Sequence, residues 1–114
     1  MSTNPPNVEK ISELSHTYNA QQTAAAMPSY QKKSWFSDFK LLYEMISEKK
    51  FQLQSTTMLS VGGALAYVVL PTDVVPDFIP LMGWVDDALV LKIVMDSAKG
   101  EINRFRQFKV NGIL

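Results

Sequence analysis

The stretch of sequence that decides the fold is Pro71-Thr-Asp-Val-Val-Pro-Asp-Phe-Ile-Pro-Leu-Met-Gly-Trp-Val-Asp-Asp87. It contains three prolines, one glycine and four aspartates, and the tetrad Asp-apolar-apolar-Pro occurs twice in tandem, at 73–76 and 77–80. Proline lacks an amide donor and disfavours helix at the residue before it, so 71–83 cannot form one continuous helix. Each tetrad is expected to form a turn in which the aspartate caps the backbone. The stretch therefore predicts a reversal of the chain between two helices.

The residues before this stretch predict a strongly apolar helix. Residues 51–70 carry no formal charge, and the segment from Met58 to Leu70 is apolar on every face of a helix. Such a helix is buried either in protein or in lipid. The apolar segment has 13 residues, fewer than the ~20 that span a bilayer, which favours a core helix. Two of its small residues, Gly62 and Gly63, would let a neighbouring backbone approach closely.

The residues after the stretch predict the last helix, over 85–109. Asp86 and Asp87 fall in its first turn, where negative charge favours the helix dipole, and Gly100 weakens its middle. Together with the helix over 51–70 it would form an antiparallel hairpin closed by the Pro/Asp-rich loop. Because no strand-like alternation occurs anywhere, the predicted fold class is all-α, a small helical bundle built on this hairpin.

Basic and aromatic residues alternate near the end of the last helix. The cations are Arg104, Arg106 and Lys109, and the aromatic residues among them are Phe105 and Phe108. Such a pattern can contact anionic lipid or nucleic acid, which makes the three cations candidate partner or lipid contacts. A simpler interpretation is favoured, in which the segment is an amphipathic helix end with both phenylalanines facing inward and the cations in solvent.

A further amphipathic helix is predicted over 34–50, where it would cover the hairpin. Ser34 is the expected N-cap, and bulky apolar side chains recur at helical spacing after it. Such a stripe is more typical of core packing than of an aromatic ligand site. Lys49 and Lys50 would end this helix at the negative end of its dipole.

Residues 1–28 predict an N-terminal helical arm followed by a hinge. Asn4 or Asn7 can cap its helix, whose apolar stripe is thin, and Pro28 disfavours helix at the residue before it. The arm is therefore expected to be loosely docked, and it is equally a solvent-exposed or partly disordered segment or a helix that binds a partner. The helical domain itself is predicted to comprise 29–114.

Composition excludes several chemistries, and the N-terminal sequence argues against secretion. The chain has 114 residues, no cysteine and a single histidine, His16, so it has no disulfide, no thiolate nucleophile and no zinc site of the usual kind. Its net charge of zero does not favour nucleic acid as a partner. The N-terminus lacks the basic start and apolar run of a secretory signal, so the expected location is the cytoplasm or the cytoplasmic face of a membrane. No nucleophile elbow, phosphate loop or dinucleotide fingerprint occurs.

The four aspartates of the loop are the candidate metal ligands. They are Asp73, Asp77, Asp86 and Asp87. Carboxylate oxygens suit Mg²⁺ or Ca²⁺, so a divalent cation is the one cofactor that the sequence suggests. Their spacing lacks the alternating pattern of an EF-hand loop. Capping of turns and helix ends is therefore the first interpretation of these residues.

A larger pattern, Tyr67 followed by Pro71-x-Asp73-x-x-Pro76-Asp77-x-x-Pro80-x-x-Gly83-x-x-Asp86-Asp87, resembles the signature of the YkvA-like family, a bacterial and archaeal domain of unknown function. The resemblance covers about 58–95, and Thr72 stands where the family more usually has an apolar residue. It implies a short helical hairpin whose motif residues are structural, and a frequent association with membranes. It implies no established catalytic residue.

The sequence therefore predicts a non-enzymatic helical protein that acts by association with a membrane or with a protein partner, including a membrane protein. The first alternative is a metal-binding protein or metal-dependent enzyme that uses the aspartates of the loop. The second is a soluble regulatory or antitoxin-like binding partner. The oligomeric state stays open.

Overall fold

The computed structural model describes residues 8–70 and 87–111, which form six α-helices. The helices are α1 (Val8–Ser12), α2 (Ala20–Ala26), α3 (Phe36–Ser47), α4 (Ser55–Val69), α5 (Asp87–Ser97) and α6 (Lys99–Asn111). Two 3-10 segments, Ser15–Thr17 and Met27–Tyr30, flank α2. No strand occurs within these ranges, and the predicted all-α class is confirmed.

Helix α4 lies at the centre of the fold. Helices α1, α2, α3 and α5 all pack against it, and every residue from Ser60 to Ala66 is buried. The interpretation of this segment as a core helix is therefore correct for its central turns. None of the helices in the described part of the chain is long and apolar enough to cross a bilayer.

The predicted start of this helix at residue 51 is wrong, because α4 begins at Ser55. The Phe51 ring is buried against α6, with its centroid 5.0 Å from that of Phe105 and 5.6 Å from that of Phe108. With its ring held there, the chain is not helical from Phe51 to Gln54, and Gln54 has extended dihedral angles (φ −61°, ψ 148°). Tertiary packing of one aromatic ring thus overrides the helical pattern of the sequence.

The expectation that the N-terminal arm is loosely docked is wrong for its described residues. Ile11 and Leu14 are 1% and 0% exposed, and both pack against α4. The close approach is possible because Gly63 has no side chain. A Cβ atom at that position would lie 2.7 Å from the carbonyl carbon of Ile11 and would overlap its oxygen. The predicted boundary between an arm and a domain at residue 28 stays a prediction.

Helix α3 is shorter at both ends than the predicted 34–50. The N-cap position belongs to Trp35, not Ser34, and no side chain caps it. The Trp35 ring instead packs 5.1 Å from the Tyr30 ring and 5.9 Å from the Phe39 ring. The helix ends at Ser47 because the next residue is extended, so the two predicted terminal lysines lie outside its last turn.

The single predicted helix over 85–109 is two helices, α5 and α6, which meet at Ala98. Backbone bonding continues through the junction, since the Ala98 amide donates to Val94 O at 3.0 Å and the Ile102 amide donates to Ala98 O at 2.9 Å. The Ser97 hydroxyl also donates to Val94 O at 3.1 Å. A serine hydroxyl that shares a helical carbonyl competes with the backbone ladder, which is a local reason for the break.

The loop that was predicted to close the hairpin lies outside the described residues. Its structural motif residues, Pro71, Pro76, Pro80 and Gly83, are therefore still assigned by prediction alone. The two helices that it connects do pack against each other, as the hairpin requires. Its turn structure stays a prediction.

Candidate functional site

Three of the four predicted metal ligands, Asp73, Asp77 and Asp86, lie outside the described residues. Asp87 is half-buried in the first turn of α5, where it was predicted. Within 8–70 and 87–111, no group of three or more acidic, histidine or cysteine side chains is arranged to hold a metal ion. The grouping of the four loop aspartates stays a prediction.

Tyr30 links the two helix ends that flank the loop. Its hydroxyl donates to Val68 O at 3.3 Å, at the end of α4. Burial raises the pKa of Tyr30 above its ordinary value, and the nearby charge of Asp87 adds to the increase. Tyr67, the first residue of the family pattern, is half-buried in the same core. A role for Tyr30 could not be predicted from local sequence patterns, because the contact joins residues 38 positions apart in the chain.

The three predicted partner-contact cations of α6 have different environments. The Arg104 guanidinium lies 5.0 Å from the centre of the Phe51 ring and donates to Gln52 O at 3.4 Å. Lys109 pairs with Glu44 of α3. The Arg106 side chain is exposed and makes no hydrogen bond or ion pair to the described residues.

The two phenylalanines between these cations face inward. Phe105 is 2% exposed and Phe108 is half-buried, with their ring centroids 6.0 Å apart. This end of α6 is therefore an amphipathic helix end, as the simpler interpretation of the sequence predicted. Two of its three cations are already used in contacts within the protein, and the role of the set as a partner contact stays a prediction.

Glu101 of α6 holds the start of α4. Its Oε2 accepts a hydrogen bond from the Gln54 amide at 2.9 Å, and its Oε1 accepts one from the Thr57 hydroxyl. A carboxylate at a helix N-terminus satisfies amides that have no partner within the helix and complements the helix dipole. Sequence reasoning missed this cap, because its donor and acceptor are 47 residues apart.

Next to this cap, α4 has an exposed apolar surface. Met58 and Leu59 are 46% and 48% exposed. Met58 also lines an open groove of about 290 Å³ together with Leu53 and Lys49. We call the surface formed by Glu48, Lys49, Leu53 and Met58, with Leu59 as the next residue of the helix, the α4 entry surface. The sequence indicated an apolar helix here but gave no sign of which side stays uncovered.

Comparison with known proteins gives a family match and a similar protein. The model of a family described as "Protein of unknown function (DUF1232)" matches residues 57–93. YkvA of Bacillus subtilis (strain 168), described as an uncharacterized membrane protein, is 33% identical over 57 residues, which are 50% of this chain and 54% of YkvA. The chain thus spans about half the length of this relative. No solved structure matches the chain.

The family match begins at Thr57, which bonds to the Glu101 cap, and it ends at Ile93 in the middle of α5. It includes the buried centre of α4 and the whole Pro/Asp-rich loop. The predicted resemblance is therefore confirmed, since residues 57–93 match the DUF1232 family model and the chain is distantly similar to YkvA.

Proposed function

We propose that this protein acts by association with a membrane surface and catalyses no reaction. The observation that carries the proposal is the similarity to YkvA, which is named a membrane protein, over half of the chain. The α4 entry surface supports it with two half-exposed apolar side chains, Met58 and Leu59, and with Lys49 in the groove that Met58 lines. Exposed apolar side chains beside a cation are a feature of proteins that bind at a membrane interface.

Cell fractionation of the full chain tests this proposal. We expect the tagged protein to sediment with membranes at low ionic strength. High salt or carbonate should release it, because both weaken attraction between a charged protein surface and a membrane. Complete recovery in the supernatant at low ionic strength would remove the proposal. Retention after carbonate would contradict surface association and favour an embedded protein.

A protein partner at the membrane is the closest variant of this proposal. Treating the membranes with protease before the protein is added separates the two. Binding to lipid survives that treatment, whereas binding to a membrane protein is lost. No described residue favours one such protein partner over another, so the proposal is confined to the lipid surface.

The metal alternative rests on Asp73, Asp77 and Asp86, outside the described residues, and on Asp87. It stays a proposal with a direct test. A divalent ion that binds only the folded protein must raise its melting temperature. Thermal unfolding with chelator is therefore compared with unfolding in Mg²⁺, Mn²⁺ or Ca²⁺, and the same comparison is made for Asp73→Asn. An increase that this variant abolishes would support a metal site.

A further inference from the structure

We propose that the groove between α3 and α6 binds a lysine side chain of a protein partner. The groove has a volume of about 360 Å³. Helix α3 lines one side with Tyr43, Glu44 and Glu48, and α6 lines the other with Phe105, Phe108 and Lys109. The inference does not depend on membrane association, because none of these residues belongs to that proposal except Glu48, which the α4 entry surface shares.

Helical spacing brings the two carboxylates to the same side of α3. Glu44 and Glu48 are four residues apart, so they are neighbours on the helix surface. On α6, Phe105 and Phe108 are three residues apart and are likewise neighbours. The groove therefore combines carboxylates from one helix with aromatic rings from the other.

A lysine of the chain itself shows which ligand chemistry the groove accepts. Lys109 forms an ion pair with Glu44 across the groove, and its Nζ lies 5.8 Å from the centre of the Phe105 ring. An ammonium group gains free energy from a carboxylate and from the face of an aromatic ring. One ammonium group is thus already held here by these two kinds of contact.

Glu48 offers a second position for such a group. Its side chain is half-buried and forms no ion pair with the described residues. One carboxylate oxygen accepts a hydrogen bond from the Lys50 amide at 3.3 Å, which orients the carboxylate and leaves its charge unchanged. Lys49 lines the adjoining groove with Glu48, but no ion pair joins the two.

The lining of the groove selects among possible ligands. An anion would meet two carboxylates, and a neutral apolar ligand would cover the Glu48 carboxylate without giving it a partner. A polyamine would bring a second ammonium group towards Lys109, because Glu44 is already paired. A lysine side chain supplies one ammonium group on an apolar stem, and the half-buried Phe108 ring can cover that stem.

Nuclear magnetic resonance titration of the full chain tests the proposal. The probe is a blocked glycine–lysine–glycine peptide, and the matched control is the same peptide with acetyl-lysine, which has no positive charge. We expect the lysine peptide to shift the amide resonances of Ser47 and Phe108 until they saturate, and the acetylated peptide to leave them unchanged. Spermidine is titrated in parallel and should bind more weakly than the peptide.

Variants with matched controls locate the site. Glu48→Gln should weaken binding of the lysine peptide by about threefold, whereas Glu13→Gln, at an exposed carboxylate on another part of the chain, should not. Lys109→Gln should strengthen binding by about threefold, because it makes Glu44 available. Arg106→Gln removes the same charge from α6 outside the groove and should have no such effect. Thermal unfolding confirms that each variant is folded.

Each contrary result would overturn a defined part of the inference. If the lysine peptide gives no saturable shift, or if the acetylated peptide binds equally well, the groove does not bind lysine. Equal losses in Glu48→Gln and Glu13→Gln would mean that the peptide binds elsewhere. Equal gains in Lys109→Gln and Arg106→Gln would mean that only the overall charge matters. Tighter binding of spermidine would replace the protein lysine by a polyamine. Fractionation of the unmodified chain tests membrane association separately.

Discussion

The centre of α4 and its first turns belong to the same uncharged run, yet they have opposite surroundings. Residues from Ser60 to Ala66 are enclosed by neighbouring helices, whereas Met58 and Leu59 face outward. The difference follows the neighbouring helices and not side-chain size, because Val61 and Leu65 in the enclosed part are also fully buried. The glycines and alanines there let backbones pack directly against the helix. An uncharged stretch of sequence therefore does not indicate a single environment, because one part of this stretch is buried in protein and the other is partly exposed.

The largest expected effect comes from filling the closest contact at the enclosed centre. Gly63→Ala adds a Cβ atom that overlaps the Ile11 carbonyl. Because a backbone group cannot rotate away as a side chain can, we expect the free energy of unfolding to fall by about 3 kcal/mol, measured by urea denaturation.

The adjacent glycine is the matched control for this variant. A Cβ atom at Gly62 would lie 3.6 Å from Ile46 Cδ1 and 3.7 Å from Ser15 Cβ, which are ordinary contact distances. Gly62→Ala should leave the free energy of unfolding unchanged or raise it by up to about 1 kcal/mol, since alanine favours helix. Equal losses in both variants would contradict the close approach of α1 to Gly63.

The second effect compares a leucine that covers the centre with one that stays exposed. Leu14 is fully buried against Ala66, so Leu14→Ala should lower the free energy of unfolding by about 2–3 kcal/mol. Leu59→Ala should lower it by less than about 1 kcal/mol, because that side chain is 48% exposed. Chemical denaturation of both variants checks the difference. Similar losses would mean that α1 and the following turn are not docked as described.

The third effect concerns the cap that joins the first turn of α4 to α6. Glu101→Gln keeps the shape of the side chain but removes its charge, and we expect a loss of about 1 kcal/mol in the free energy of unfolding. Hydrogen exchange at the Gln54 amide should become faster. Glu13→Gln is the control, since Glu13 is exposed, and it should change stability by less than about 0.5 kcal/mol. An unchanged exchange rate in Glu101→Gln would show that the carboxylate does not hold this end.

The smallest effect concerns the dependence of stability on pH, through Tyr18 at the enclosed centre, and it is greatest at alkaline pH. The Tyr18 hydroxyl is buried and has no well-formed hydrogen bond among the described residues. Burial raises the pKa of Tyr18 above its ordinary value of 10.0, the nearby Tyr43 adds to the increase, and the hydroxyls of Ser47 and Thr23 oppose it. Since the raised pKa favours the neutral form in the folded state, this contribution is complete below pH 10.0 and is lost as the pH rises through the folded pKa.

Tyr18→Phe should therefore be at least as stable as the unmodified protein at neutral pH, because it removes a buried hydroxyl without a well-formed hydrogen bond, and its advantage should grow above pH 10.0. Thermal unfolding over this range measures the difference. Parallel pH profiles would show that Tyr18 is not buried against α4.

The sequence predicted features that depend on composition and local pattern. These include the all-α class, the burial of α4, Asp87 in the first turn of α5 and the inward-facing Phe105. It missed features that depend on contacts between distant residues. The start of α4 depends on Phe51 packing against α6, and the docking of α1 depends on a backbone contact at Gly63. Neither leaves a periodic signal.

The candidate site divides in the same way. The family pattern was visible in the sequence, because prolines and aspartates at fixed spacing are a local signal. The α4 entry surface was not visible, since exposure depends on where the neighbouring helices end. The use of Arg104 and Lys109 within the protein was likewise hidden, because their partners Phe51 and Glu44 are distant in sequence.

The position of Tyr30 couples the N-terminal half of the chain to the two helices that border the Pro/Asp-rich loop. Its hydroxyl donates to Val68 O near the end of α4, and the charge of Asp87 at the start of α5 contributes to its raised pKa. A substitution at Tyr30 should therefore affect both α4 and α5, although Tyr30 lies 38 residues before Val68 in the chain.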